Sequence, residues 1–333
     1  MKRLMALLLL SILLLAGCAG QSGQPAPAYA PGEEKRLVIY TSHKEEVYAP
    51  IVKEFEERTG IWVQLVTGGT TELLERIAAG DTDCDLMFGG GVDSLCAYAD
   101  CFAPYVSPRM EQVAERYAGD ATCTPFSSLP LVLIYNPKLV QLNPPVGWES
   151  LLEEAWRGKI AFADPTVSGS SYTALCTMIQ ALPGEPADLI DAFVENLDGC
   201  ILDSSGLVTG AVAEGSCYIG VTMEETAMKA IKAGYDIAMV YPREGTSDLP
   251  DGAAVVKGCA HGENARKFID FLLSSDVQNR LGESFCRRSV REGAVAPEGW
   301  NQLSLLDYDT SWASRHQTEI LSRWAADVGE GMP

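Results

Sequence analysis

Three hydroxyls, Ser168, Ser170 and Ser171, stand with Gly169 in the run AFADPTVSGSSY of residues 161–172. Residues 159–163 have strand character, Pro165 stops it, and residues 172–179 begin a helix. A helix start leaves backbone N–H groups without partners and carries the positive end of the macrodipole, so phosphate or carboxylate is its natural guest. An ordinary serine cap before a glycine turn accounts for the same residues. What favours an anion cradle is repetition. Thr41, Ser42 and His43 follow the apolar run 37–40; Gly69, Thr70 and Thr71 follow the run 61–66; Gly90 lies in the triple glycine after 85–88. Ser205 precedes another helix start over 207–213, and Glu224 and Glu225 open the helix that follows 217–221.

These tips require a scaffold that brings strand ends together. The continuous apolar run 37–40 reads as a strand buried on both faces of a parallel sheet, and 61–66 and 85–88 read as the second and third strands. Between them, Val47, Ile51, Val52 and Phe55 recur at helical spacing over 44–58, and residues 72–79 form a second helix closed by Gly80. Open α/β sheets bind ligands beyond the carboxyl ends of their strands, where the hydroxyls and glycines stand. Residues 129–137 read as a strand leaving this unit. A second α/β set follows, with helices expected at 148–156 and 189–197, strands at 159–163 and 217–221, and a return strand at 237–242. A strand over 253–257 and a helix over 263–274 complete the pattern. The expected architecture is α/β with two lobes and a hinge: 36–128 with 243–303, and 129–242 with 304–333.

Composition narrows the partners. With 45 acidic against 25 basic residues in 333, the formal charge is -20, which argues against nucleic acid and against adsorption to an anionic membrane. No G-x-G-x-x-G follows a strand and no phosphate-binding G-x-x-x-x-G-K-[ST] occurs. No nucleophile elbow or H-E-x-x-H supports catalysis, so the chain is expected not to be an enzyme. The histidines His43, His261 and His316 are scattered without ligand spacing, so neither a metal nor another cofactor is expected.

The first 17 residues, with Lys2, Arg3 and an apolar run over 7–15, read as a secretion signal. Leu15-Ala16-Gly17-Cys18 resembles a bacterial lipobox, which implies lipid on Cys18 and a membrane anchor. The Pro, Gly, Ser and Ala of 21–32 make residues 18–35 a flexible tether. Nine further cysteines remain, an odd number with no Cys-x-x-Cys pair; export makes disulfides possible, but sequence does not fix their connectivity.

From residue 37 to about 289 the chain resembles the family 1 extracellular solute-binding proteins of ABC importers, of the type II periplasmic-binding fold. The carriers are LVIYTSHKEEVYAPIVKEFEERTG, GGTTELLERIAAG, IAFADPTVSGSSYTAL, AEGSCYIGVTMEETAMKAIKAG, VYPREGT and ENARKFIDFLLSSDVQ, in that order behind a lipobox. The resemblance implies a monomeric binder that delivers a small ligand to permease subunits. Within the family, ferric-ion binders present two adjacent tyrosines after the strand corresponding to 217–221, where this chain has Thr222-Met223-Glu224. The SGSSYT cradle and VYPREGT resemble instead the binders of sugar phosphates, phosphoglycerate and phosphonates.

On that reading a small organic phosphate is the expected ligand. Glu224 or Glu225 would accept from its hydroxyls or ammonium, although both also suit a plain helix start. A protonated His43 would pair with phosphate, and Asp164 and Tyr172 would touch the ligand. Arg243 would clamp phosphate if it pointed inward, with surface solvation as the alternative.

Overall fold

The computed structural model describes residues 31–80, 83–119, 121–294 and 303–331; the expected signal segment and Cys18 lie outside them. Two sheets form. The first contains β1 (Arg36–Thr41), β2 (Trp62–Thr67), β3 (Leu86–Gly91), β4 (Thr124–Ser128), β10 (Pro250–Val255) and β11 (Arg288–Ser289), in the order β11-β4-β10-β3-β1-β2. The second contains β5 (Leu131–Tyr135), β6 (Ile160–Ala163), β7 (Ile201–Leu202), β8 (Ile219–Met223) and β9 (Ala238–Val240), ordered β7-β6-β8-β5-β9. β1 runs parallel to β2 and β3, as β6 does to β7 and β8; β10 and β5 run antiparallel to their neighbours.

Helices follow the parallel strands, because a parallel pair needs a crossover. In chain order they are α1 (Glu45–Thr59), α2 (Thr70–Ala78), α3 (Val92–Cys96), α4 (Gly169–Ala181), α5 (Pro186–Leu197), α6 (Val208–Glu214), α7 (Glu224–Lys232), α8 (Gly262–Leu272), α9 (Ser275–Phe285) and α10 (Thr310–Gly331). One face of the first sheet packs Leu37, Ile39 and Phe88 against Val47 and Phe55 of α1 and Phe268 of α8; the other packs Tyr40 and Met87 against Leu73 and Leu74 of α2. In the second sheet Phe162 meets Phe193 of α5 with ring centroids 5.0 Å apart, and Trp324 of α10 lies 5.8 Å from Phe162. Among the described residues no helix is long and apolar enough to cross a membrane.

The chain passes between the sheets twice, at Leu129-Pro130 between β4 and β5, and over residues 241–249 between β9 and β10. The passages touch where the Leu129 N–H donates to the Leu249 carbonyl at 3.3 Å. Three expectations shift. The strand foreseen over 129–137 begins after the passage, and β9 belongs wholly to the second sheet. The helix foreseen over 148–156 is two short 3-10 segments, Trp148–Leu152 and Glu154–Trp156. Its carbonyls are diverted: the buried Asn196 side chain donates to Leu151 O at 2.7 Å and Glu153 O at 2.8 Å, while the Trp148 indole donates to Gly245 O at 2.8 Å. The triple glycine lies inside β3 rather than beyond it, because Asp251 of β10 still pairs with Gly91.

One buried side chain holds the short strand β11 in place. Gln278 of α9, 1 % exposed, donates to Phe126 O and Leu272 O at 2.9 Å each and accepts from Ser289 Oγ at 2.8 Å and Val290 N at 3.3 Å. Replacing it by alanine leaves buried backbone groups without partners, so Gln278→Ala is expected to cost roughly 2–4 kcal/mol in urea unfolding. A change below about 0.5 kcal/mol would show that β11 is held by other contacts.

Candidate functional site

The carboxyl ends of the parallel strands in the two sheets face one another. Lys229 of α7 donates to Glu46 of α1 at 2.8 Å, and Arg288 of β11 reaches Glu224 at the start of α7.

On the first sheet, Thr41, Ser42, His43, Thr70 and Gly90 come together. Thr41 is fully buried; its hydroxyl accepts from the His43 N–H at 3.2 Å and its carbonyl accepts from Gly68 N–H at 3.3 Å. A Cβ would stand 2.7 Å from Ser42 Oγ at residue 89 and 2.5 Å from Thr70 Cγ2 at residue 90, so either would push these hydroxyl-bearing side chains aside. Both glycines also hold positive φ, +114° and +84°. Gly69 caps α2, its N–H donating to Glu72 at 3.4 Å; it and Thr71 are exposed at the rim.

His43 differs from expectation. It is buried between Phe88 and Phe126, with ring centroids 4.4 and 5.7 Å away, and its Nε2 lies 3.7 Å from Asp251 Oδ2. Burial first, and the Arg287 cation second, hold its pKa well below the usual 6.5, so at neutral pH it is uncharged and offers phosphate no cation.

On the second sheet, α4 starts beside the end of β6. The Ser168 hydroxyl accepts from Ser171 N–H at 3.3 Å and Ser171 Oγ at 3.1 Å, and lies 3.2 Å from Ser170 Oγ. Its N–H donates to Asp164 O at 2.9 Å, and Asp164 Oδ1 accepts from the Thr166 N–H and hydroxyl, so Asp164 shapes the turn. Nothing stands within 4 Å of where a Gly169 Cβ would be, and the first turn of α4 carries no acid. Gly169, Ser168 and Ser170 therefore form an accessible helix start with hydroxyls and positive dipole aligned. Ser205 begins the 3-10 turn Ser205–Leu207, but the capping hydroxyl is Ser204, 3.3 Å from Gly206 N–H. Tyr172 is turned away from this start: its hydroxyl donates to the Ala313 carbonyl and fastens α10.

Glu224 and Glu225, expected to meet ligand hydroxyls or an ammonium, are engaged by the protein itself. Glu224, 1 % exposed, accepts from Arg288 at both oxygens, 2.7 and 2.8 Å, and from the Tyr241 hydroxyl. Glu225 pairs with Arg287 at 3.0 Å and Lys229 at 2.5 Å. Arg287 also donates to Asp251 and, at 3.2 Å, to Ser127 Oγ; Asp251 in turn accepts from Ser127 N–H at 2.9 Å and its hydroxyl at 2.6 Å. Burial raises the pKa of Asp251 and of Asp248, and Asp248 accepts from Ser128 and Tyr117 hydroxyls. Arg243 points outward to Glu149 and is half-exposed.

Arg287, Arg288, Asp251, Asp248, Ser127 and Tyr117 were not singled out in the sequence. One signal was present: adjacent arginines between apolar Phe285 and Val290, in an acidic chain, mark cations drawn inside to carboxylates.

Residues 50–306 match the family model described as bacterial extracellular solute-binding protein. The chain belongs to that family. It is a solute-binding protein that works outside the cytoplasm, and its family binds rather than transforms. It is 27 % identical over 293 residues to iron uptake protein A1 of Synechocystis, covering 81 % of this chain and 80 % of that one. It is 23 % identical over 251 residues to a putative 2-aminoethylphosphonate-binding periplasmic protein of Salmonella typhi, covering 69 % of each. The structure of the periplasmic binding protein AfuA from Actinobacillus pleuropneumoniae, with exogenous fructose-6-phosphate bound, matches with a TM-score of 0.77 at 22 % identity, covering 88 % of this chain and 98 % of that one. The fold of this solute-binding protein is therefore the two-lobed type II periplasmic-binding fold.

A neutral buried His43 sets a pH signature. Its folded pKa is depressed, so the unfolded chain takes up the proton first; the stability this histidine contributes is complete above 6.5 and declines as pH falls through that value. In urea unfolding at about pH 7.5 and about pH 5.5, the stability difference between the native protein and His43→Gln should shrink toward acid, by up to about 1.4 kcal/mol per pH unit. A difference that grows toward acid would mean that His43 is protonated in the fold.

Proposed function

We propose that this protein is the substrate-binding lipoprotein of an ABC importer, anchored through Cys18, and that it captures a small phosphorylated organic anion between its lobes. The lobes are taken as 36–128 with 243–303 and 129–242 with 304–333. The observation that carries the reading is the start of α4, where Ser168 and Ser170 hydroxyls surround an accessible, acid-free first turn whose leading N–H groups have no intrahelical acceptor. Phosphate is the ligand such a start suits. Ser42, Gly69, Thr70, Thr71 and Gly90 on the facing rim, and Ser205 beside α4, would meet the organic part, while the fully buried Thr41 would support the His43 backbone from behind. Glu224 and Glu225 are held by arginines, which relieves the repulsion that bare carboxylates would exert on the anion.

The aminoethylphosphonate-binding relative and the fructose-6-phosphate complex of AfuA are consistent with this class. The iron uptake protein of Synechocystis favours ferric ion instead. Against that reading, Thr222-Met223-Glu224 replace the paired tyrosines, and both Glu224 oxygens are bound to the Arg288 guanidinium. Among the described residues no group of three or more His, Cys, Asp or Glu side chains is arranged to hold a metal.

Ligand at a hundred times its dissociation constant stabilises a fold by about 2.7 kcal/mol, a rise of roughly 5–10 °C in melting temperature for a lobe of about 150 residues. Hexose phosphates, phosphoglycerate or aminoethylphosphonate should produce it, with inorganic phosphate producing less. Ser170→Asp should keep the melting temperature of the free protein and lose the ligand-induced rise, because like charge then occupies the anion position. A rise given by ferric citrate alone, or an undiminished rise in Ser170→Asp, would refute the assignment.

A further inference from the structure

We propose that Cys96 and Cys123 are joined in the exported protein by a disulfide that closes residues 96–123 into a loop. Their Sγ atoms stand in contact at 3.4 Å. Packing independent of sulfur puts them there. Cys96 is the last residue of α3 and Cys123 directly precedes β4. α3 lies close against β10, which pairs with β4, and glycine at residue 252 leaves room for that approach. A Cβ there would stand 2.6 Å from Thr124 O, 3.1 Å from Val92 Cγ2 and 3.4 Å from Leu95 Cδ1. Thr124 is the register partner of Ala253, the next residue of β10. The close approach at Gly252 thus fixes both backbone positions that carry the thiols.

Their environments suit stepwise oxidation. Cys96 is exposed and Cys123, 3 % exposed, lies behind it. Solute-binding proteins work outside the cytoplasm, where disulfides form and persist. The oxidant we name is a small-molecule disulfide such as oxidised glutathione. The Cys96 thiolate attacks one of its sulfurs, breaking the S–S bond, releasing one glutathione thiolate and leaving a mixed disulfide on Cys96. The Cys123 thiolate then attacks the Cys96 sulfur, forming the Cys96–Cys123 bond and releasing the second glutathione thiolate. Two electrons pass from the protein to glutathione, and the two protons lost by the cysteines end on its two thiols.

The segment so closed has reason to be fastened. Among its described residues beyond α3, regular structure is limited to the 3-10 turns Ala99–Cys101, Met110–Gln112 and Glu115–Tyr117. It also carries Tyr117, whose hydroxyl donates to Asp248 beside the lobe boundary. A cross-link between its ends would remove freedom from the unfolded chain and keep Tyr117 at its partner.

The full-length protein, purified reduced, is equilibrated with oxidised glutathione, alkylated, digested and read by mass spectrometry without reduction. A peptide pair joining Cys96 to Cys123 is expected. The oxidised form should melt roughly 5–10 °C above the reduced form. The exposed Cys96→Ser variant should fold and lack that rise. Cys96 and Cys123 both recovered as alkylated thiols, glutathione remaining on Cys96, or a cross-link from Cys96 to Cys101 would each overturn the proposal. The peptide map is read on the native chain, so it decides the matter whatever the variant does.

Discussion

Buried carboxylates at the boundary between two sheets must find cations, and this requirement governs the centre of the molecule. Glu224, Glu225 and Asp251 are each less than a tenth exposed, and Arg287 and Arg288 supply their positive partners. A buried charge left alone costs several kcal/mol, whereas a paired one contributes little net stability. The network's consequence is therefore geometric. Arg287 and Arg288 adjoin β4 of the first sheet, and Glu224 and Glu225 open α7 beyond β8 of the second. A relative movement of the sheets must break or exchange these pairs. Gln278 matters for the same reason, since it secures the two-residue strand from which Arg288 projects.

Much of this was legible from the sequence where the signal is local. The runs at 37–40, 61–66 and 85–88 became β1, β2 and β3, with β2 at the sheet edge and Trp62 exposed, and the Ser/Gly turn at 168–171 became a capped helix start, because strand propensity and serine capping are short-range properties. Illegible features depend on distant partners. Asn196 decides the backbone of 148–156 from another helix, and Ala313 takes the Tyr172 hydroxyl from 141 residues away. His43 reads as a cation until Phe88, Phe126 and Arg287 enclose it. Likewise Glu224 and Glu225 read as ligand acceptors until residues 287 and 288 fold back onto them.

The two kinds of feature combine in one account of recognition. In an acidic chain, with formal charge -20, an anion is not attracted by the overall field, so its site must be local. On the proposed reading a helix start with serine hydroxyls would be such a local site, and the pairing of Glu224 with Arg288 would leave less bare negative charge at the sheet boundary. A trivalent cation would need the opposite arrangement, with anionic oxygen donors left unpaired by arginine.

Native mass spectrometry tests this most directly. The protein is offered hexose phosphates, phosphoglycerate, aminoethylphosphonate and ferric citrate together and then exchanged into volatile buffer. The account predicts retention of one phosphorylated organic molecule per chain. Retention of iron in its place, or of nothing at all, would contradict it.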